Sequence, residues 1–369
     1  MSYNLSDGPG KKVLKEEEDI LCSLLPRLLT DGRNQPMTEK SVTPAVQRVH
    51  QFAEAIRTNV ARVVISKREV IDLLIVALLS DGHVFIEDVP GVGKTLLAKA
   101  LARSLGATFQ RVQGTPDLLP TDIIGVSYYD QPHNEFVFRQ GPLFTQILLV
   151  DEVNRATPRT QSALLEAMAE RQVTVERTTL LLPRPFLLLA TQNPVELEGT
   201  FALPEAQLDR FLLRLQVGYP SEEDELAMLH RFKQEEVLET LQPVVSAEDV
   251  LELQQVIRGV SWAPAVERYL LRLVRATRDH AAVQLGVSPR GTLALYRAAE
   301  AYAAIHGRDY VVPDDLKALA PSVLSHRLLT TARTRQRGQQ AQEIVKNILE
   351  ATPVPVEQMA PPGSKGTAS

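Results

Sequence analysis

The run His83-Val84-Phe85-Ile86-Glu87-Asp88-Val89-Pro90-Gly91-Val92-Gly93-Lys94-Thr95 reads as a strand, a phosphate-cradling loop and a helix start. Gly91 and Gly93 can adopt left-handed backbone conformations, which lets successive N–H groups approach phosphate oxygens closely. Lys94 adds a point charge, and Thr95 stands where a hydroxyl can ligate Mg²⁺. Leu97, Leu101 and Leu105 recur at helical spacing, so a helix opens at the loop with its positive N-terminal end toward the phosphates. Nucleoside triphosphate binding follows, with Pro90, Gly91, Val92, Gly93, Lys94, Thr95 and Leu96 as the candidate binding residues. The run departs once from G-x-x-x-x-G-K-[ST], because Asp88 occupies the first glycine position. Taken alone, a chance Gly-Lys-Thr turn is the alternative.

Further downstream, Ile147-Leu148-Leu149-Val150-Asp151-Glu152 reads as a buried strand ending in two acids. Its carboxylates emerge at the C-terminal end, the edge where open α/β sheets bind ligands. There Asp151 is placed to hold Mg²⁺ together with Thr95, and Glu152 to act as general base on the attacking water. Asn193, in Ala190-Thr191-Gln192-Asn193-Pro194, ends the next strand and can reach the same water or the γ-phosphate, with an Asn-Pro turn as the bland alternative. Arg210 precedes the fifth strand. Arg290 follows Ser288, a good N-cap, and Pro289, a good first helical residue. Either arginine can aim its fork at phosphate oxygens or form a surface ion pair.

The elements that must position these groups form a clear pattern. From residue 43 to 218 short apolar strands alternate with amphipathic helices, the pattern of a mostly parallel sheet covered on both faces. The strands are expected at His83 to Glu87, Thr108 to Val112, Gln146 to Val150, Phe186 to Thr191 and Phe211 to Val217. Helical periodicity dominates from 219 to 350, over Glu222 to Lys233, Ala247 to Gly259, Pro264 to His280, Arg290 to Ile305 and Pro313 to Leu324, and predicts an all-helical second domain. Residues 1–42 read as an N-terminal extension and residues 351–369 as a disordered tail.

Composition narrows the class. The 369 residues are 44% hydrophobic, enough for two domains, and no stretch approaches the roughly 18 uninterrupted apolar residues of a membrane span. The start is polar and lacks a secretory core, and Cys22 alone excludes an internal disulfide framework, which points to the reducing cytoplasm. A formal charge of −5 with interleaved signs does not advertise a nucleic-acid binder. Locally, Arg327, Arg333, Arg335 and Arg337 cluster, and a solvated basic helix face is the expected reading.

Glu87 to Thr95, Thr115-Pro116-Asp117-Leu118-Leu119-Pro120-Thr121-Asp122, Asp151-Glu152-Val153-Asn154-Arg155-Ala156, Gln161 to Met168, Ala190 to Pro194 and Leu203-Pro204-Glu205-Ala206-Gln207-Leu208-Asp209-Arg210-Phe211 resemble, in this order, the MoxR family of AAA+ ATPases. The resemblance implies an α/β P-loop core with a five-stranded parallel sheet in the order 5-1-4-3-2 and a helical lid. It also implies a homo-oligomeric ring, expected to be hexameric, with ATP and Mg²⁺ between subunits. Lys94 and Thr95 become the Walker A pair, Asp151 and Glu152 the Walker B pair, Asn193 sensor 1, Arg290 sensor 2, and Arg210 the finger offered to the adjacent subunit. Asp88 is ordinary within the family. Asp122 to Phe138 and Val173 to Leu182 resemble the family's two hairpin insertions on the pore or substrate side. Ile65-Ser66-Lys67 departs from the Val-Gly-Gln more usual beside the adenine, and Glu176-Arg177 from the usual Asp-Gly hairpin turn. The implied activity is remodelling or maturation of a partner protein, with a von Willebrand factor A domain protein as the implied client. A nucleotide-gated scaffold and a nucleic-acid motor are the alternatives.

Overall fold

The computed structural model describes residues 43–355 apart from 66, 177, 196–198, 233–237 and 337–339. The described residues form one compact unit. The expected extension over residues 1–42, the tail from 356 onward and Arg337 lie outside the described residues.

Strands β1 (Val84–Glu87) and β2 (Phe109–Gln113) are followed by a hairpin of β3 (Gly125–Asp130) and β4 (Glu135–Gln140). Next come β5 (Ile147–Asp151), a second hairpin of β6 (Gln172–Val175) and β7 (Thr178–Leu181), then β8 (Leu187–Gln192) and β9 (Leu213–Leu215). Five of these form one parallel sheet in the order β2-β5-β8-β1-β9, which is 5-1-4-3-2 when only its own strands are counted along the chain. Because side chains alternate across a strand, the unbroken apolar runs feed two cores at once. Val84, Ile86, Leu149, Leu187 and Leu189 join one core with helices Pro44–Ala61, Arg68–Leu79 and Lys94–Ser104. Phe85, Leu148, Val150, Leu188 and Ala190 join the other, against helix Pro158–Glu170. The loop helix buries Leu97 and Leu101, with Leu105 just past its end, as their spacing requires.

Two expectations need correction. The fifth strand spans three residues, not Phe211 to Val217, because its flanks bond outside the ladder. The carbonyls of Phe211 and Leu212 accept from Arg327, and the Val217 N–H donates to Asp88. The described helices of the second domain are Glu222–Phe232, Ala247–Ile257, Pro264–Asp279, Pro289–Ile305, Pro313–Leu324, the short Ala332–Gln336 and Ala341–Ala351. It is not all helical: β10 (Val283–Leu285) and β11 (Leu329–Thr330) form an antiparallel pair too short to carry a period-two signal. No described helix is long and apolar enough to cross a membrane.

Candidate active site

The parallel register brings the candidate residues to one sheet edge. Glu87 pairs with Gln192, Val150 with Ala190 and Gln113 with Asp151, so β1, β8, β5 and β2 all end together. From these ends emerge the phosphate loop, Asn193, Glu152 and Gly114.

In the loop, Gly91 and Gly93 have φ of 86° and 90°, and a Cβ at either position would meet no atom within 4 Å. The cradle is therefore built for glycine by backbone conformation and is open on its ligand side. Gly93 precedes the first residue of helix Lys94–Ser104. The Lys94 ammonium donates to the carbonyls of Asp88 (2.8 Å) and Val89 (3.1 Å), folding its stem back across the loop. Burial lowers the Lys94 pKa, opposed by the charges of Asp88, Asp151 and Glu152. An anion entering the cradle gains from this partly dehydrated cation.

Asp88, the departure from the motif, is buried and has a defined task. One carboxylate oxygen accepts from the Val89 N–H (2.8 Å), and the other from the N–H groups of Val217 (2.6 Å) and Gly218 (2.7 Å). It ties the loop to the chain leaving β9 for the second domain, which a glycine could not do.

Beside the loop, the Thr95 hydroxyl lies 3.4 Å from Asp151 Oδ2. Asp151 is buried, and its Oδ1 accepts from the Thr191 hydroxyl (2.9 Å), which in turn accepts from the Glu152 N–H (2.9 Å). Arg111 on β2 donates to Asp151 Oδ2 through Nε (2.8 Å), with its Nη2 in ion-pair contact with the same oxygen at 2.7 Å. Glu152 takes the left-handed conformation at φ 53° and accepts from Gln113 Nε2 (2.8 Å) and Arg155 Nη1 (3.3 Å). Such a conformation is uncommon away from glycine and aims the carboxylate off the strand end. Asn193 is buried, its Oδ1 accepting from the Val195 N–H at 3.1 Å. Sequence reasoning missed Arg111, Gln113 and Thr191. The alternation of β2 held the only signal for the first two, since residues 111 and 113 must share a face.

The two arginines stand apart from this cluster. Arg210 is exposed and donates to the Leu165 carbonyl (3.0 Å), and Arg290 is exposed in the first turn of helix Pro289–Ile305. Ser288 caps that helix as expected, its Oγ accepting from the Gly291 N–H at 3.2 Å. Of the predicted basic cluster, Arg327 is buried in an ion pair with Asp209 and Arg333 is exposed, while the side chains of Arg335 and Arg337 lie outside the described residues. Burial lowers the Arg327 pKa to about 10, against the opposing pull of Asp209.

Among the described residues no group of three His, Cys, Asp or Glu side chains could cage a metal alone. The hydroxyl and carboxylate of Thr95 and Asp151 instead fit a Mg²⁺ ion that shares its remaining ligands with phosphates and water. The open glycine cradle, with the Lys94 ammonium across it, fits the phosphates themselves.

A parallel sheet in this order, a phosphate loop after its first strand, paired acids after its third and a helical second domain define an AAA+ ATPase fold. The model of the ATPase family associated with various cellular activities matches residues 83–213, and that of the AAA lid domain matches 275–348. The Bacillus subtilis protein YeaC, itself uncharacterized, is 51% identical over 82% of this chain and 94% of its own. Chaperone MoxR1 of Mycobacterium tuberculosis is 40% identical over 83% of each chain. A crystal structure from Cytophaga hutchinsonii, described provisionally as an ATPase, superposes with a TM-score of 0.79 at 37% identity, covering 85% of this chain and 97% of that one. The chain belongs to the MoxR family of AAA+ ATPases.

Proposed function

We propose that this protein hydrolyses ATP with Mg²⁺ between the subunits of a homo-oligomeric ring, expected to be hexameric, and uses the cycle to remodel or mature a partner protein in the cytoplasm. The observation that carries the reading is the meeting of an open glycine cradle, Lys94, the Thr95–Asp151 pair and Glu152 at one sheet edge. The backbone of Pro90 to Leu96 and the Lys94 ammonium bind the phosphates, and Thr95 and Asp151 hold the ion. When bound, Mg²⁺ neutralises charge on the phosphate oxygens. Glu152 draws a proton from the attacking water, and Asn193 orients that water. Arg290, as sensor 2, contacts the phosphates from the lid. Arg210 reaches the neighbour's γ-phosphate, a contribution worth orders of magnitude in comparable phosphoryl transfers.

A protein client is supported by the relative named as a chaperone, and one with a von Willebrand factor A domain is the partner implied by the family resemblance. The hairpin β3–β4 offers a surface for it, with Tyr128, Tyr129 and Phe136 exposed at its tip. The test is Glu152→Gln in the purified protein. It should bind ATP and leave turnover at background, because the amide keeps the shape and loses the base. Turnover equal to that of the unaltered protein would remove Glu152 from this role.

A further inference from the structure

Two helices of the second domain carry charged stripes that the chain itself leaves uncovered. Helix Glu222–Phe232 presents Glu222, Glu225, Leu226 and Leu229, and steps of three and four residues put these on one face. Leu226 and Leu229 are 52% and 65% exposed, Met228 is exposed beside them, and no side chain from 222 to 230 is buried. A helix of this length is marginal in water unless one face is packed. Acids in the first turn suit the helix dipole, but they do not account for the leucines that continue the stripe.

Helix Pro264–Asp279 buries Val266, Tyr269, Leu270, Leu273 and Val274 and turns Arg268, Leu271, Arg272 and Arg275 outward, at the same spacing as the acidic stripe. Leu271 is 50% exposed, and with Ala265, the three arginines and Pro355 it lines a groove of about 400 Å³. Among the described residues no carboxylate lies within ion-pair distance of Arg268, Arg272 or Arg275, and no cation within that distance of Glu222 or Glu225.

The two stripes belong to opposite ends of the site. The acidic helix begins just after Gly218, whose N–H donates to Asp88 at the phosphate loop, and Tyr219 between them accepts from the Lys67 ammonium at 3.1 Å. In the basic helix Arg278 donates to the Val287 carbonyl at 3.0 Å. The next residue, Ser288, donates to Asp209 at 2.9 Å, and Asp209 precedes Arg210. The acidic stripe therefore goes with the loop and the basic one with Arg210.

We propose that the acidic stripe of Glu222–Phe232 docks in the arginine-lined groove of helix Pro264–Asp279 on the adjacent copy of this chain. Leu226 and Leu229 meet Leu271, and the glutamates meet the arginines. The inference rests on the proposed ring: a head-to-tail contact that carries Arg210 toward the neighbour's loop carries the basic helix toward the neighbour's acidic one. Each exposed ion pair adds little alone, but the array sets the direction of assembly, since base-to-base and acid-to-acid contacts repel.

The test uses the full chain bearing Glu152→Gln, with ATP, read by sedimentation. This parent should assemble beyond a dimer; if it does not, the ring reading fails and the inference fails with it. Given assembly, one chain carries Glu222→Lys and Glu225→Lys, and a second carries Arg272→Glu and Arg275→Glu. Each should raise the protein concentration at half-assembly roughly tenfold, as attractive pairs become repulsive ones. Mixing the two should restore assembly, because in an alternating oligomer every contact again joins acid to base. All four substituted side chains are exposed, so the fold is not at stake. A mixture that stays dissociated, or an acid-reversed chain that assembles like the parent, sinks the docking while the ring stands. Loss in the arginine variant alone would give the groove to another occupant, an acidic partner protein or a nucleic acid, and overturns the inference equally.

Discussion

Replacing Asp88 with glycine would restore the general phosphate-loop pattern, yet it should weaken the protein. The carboxylate accepts from Val217 and Gly218, 129 and 130 residues along the chain, at 2.6 and 2.7 Å, as well as from its neighbour Val89. Hydrogen bonds to charged groups contribute about 1.5–3 kcal/mol each, and the two long-range bonds share one oxygen, so their losses do not add in full. The expected cost of Asp88→Gly is on the order of 3–4 kcal/mol, with the added backbone freedom of glycine included. Asp88→Asn separates the contributions. Its amide oxygen can still serve Val217 and Gly218 while its NH₂ faces the Val89 N–H, so roughly 1–2 kcal/mol should be lost. Urea denaturation of the three proteins at one pH gives the comparison. ATP titration should show weaker binding in Asp88→Gly, since Lys94 loses a nearby anion that favours its charged form. A glycine variant as stable as the parent would show that the loop is not held to the second domain through this carboxylate.

Burial raises the Glu300 pKa to about 7, with the Trp262 indole N–H at 3.4 Å pulling the other way. The folded state thus holds that proton more tightly than the unfolded state, and the resulting penalty grows from about pH 4.5 to 7 and is constant above. Glu300→Gln should therefore match the parent near pH 4.5 and exceed it by on the order of 3 kcal/mol at pH 8; equal urea midpoints at pH 8 would contradict this. His83 has the opposite sign. Burial and Arg171 push its pKa well below 6.5, and its Nδ1 accepts from Leu188 (3.0 Å) while Nε2 faces the Met168 carbonyl (3.1 Å). Below about pH 6.5 the unfolded chain takes up a proton that the fold refuses, so stability falls by about 1.4 kcal/mol per pH unit. His83→Gln should remove one proton's worth of that slope, and an unchanged slope between pH 6.5 and 5 would refute the neutral ring.

The order of strands and helices was legible because both periodicities are strong: Ile147 to Val150 is an unbroken apolar run, and Leu97, Leu101 and Leu105 mark a helix. The phosphate loop and the acids at 151 and 152 were legible because their chemistry depends on local spacing. What stayed hidden depends on pairing between distant segments. Asp88 looked like a defect until Val217 and Gly218 arrived beside it, and Arg327 looked like part of a solvated run until Asp209 took its charge. Arg111 and Gln113 carry no motif, and only the register of β2 against β5 sets them against Asp151 and Glu152.

That register also bears on how charge is distributed. The two acids at the sheet edge are already compensated within the subunit, Asp151 by Arg111 and Thr191, and Glu152 by Gln113 and Arg155. Arg210 and Arg290 are exposed, and among the described residues neither has a carboxylate within ion-pair distance. An isolated chain gains little from holding two arginines rigidly without counterions, one on a neutral carbonyl and one at a capped helix start. A polyanion brought between subunits would supply the missing charge to both. The same asymmetry gives the ring reading a consequence in ionic strength. Assembly driven by ATP should weaken as salt screens these exposed cations, while the buried Arg327–Asp209 pair is far less affected. Sedimentation of the Glu152→Gln protein with ATP across a salt series would show this, and ATP-driven assembly insensitive to salt would argue that the two arginines meet no phosphate.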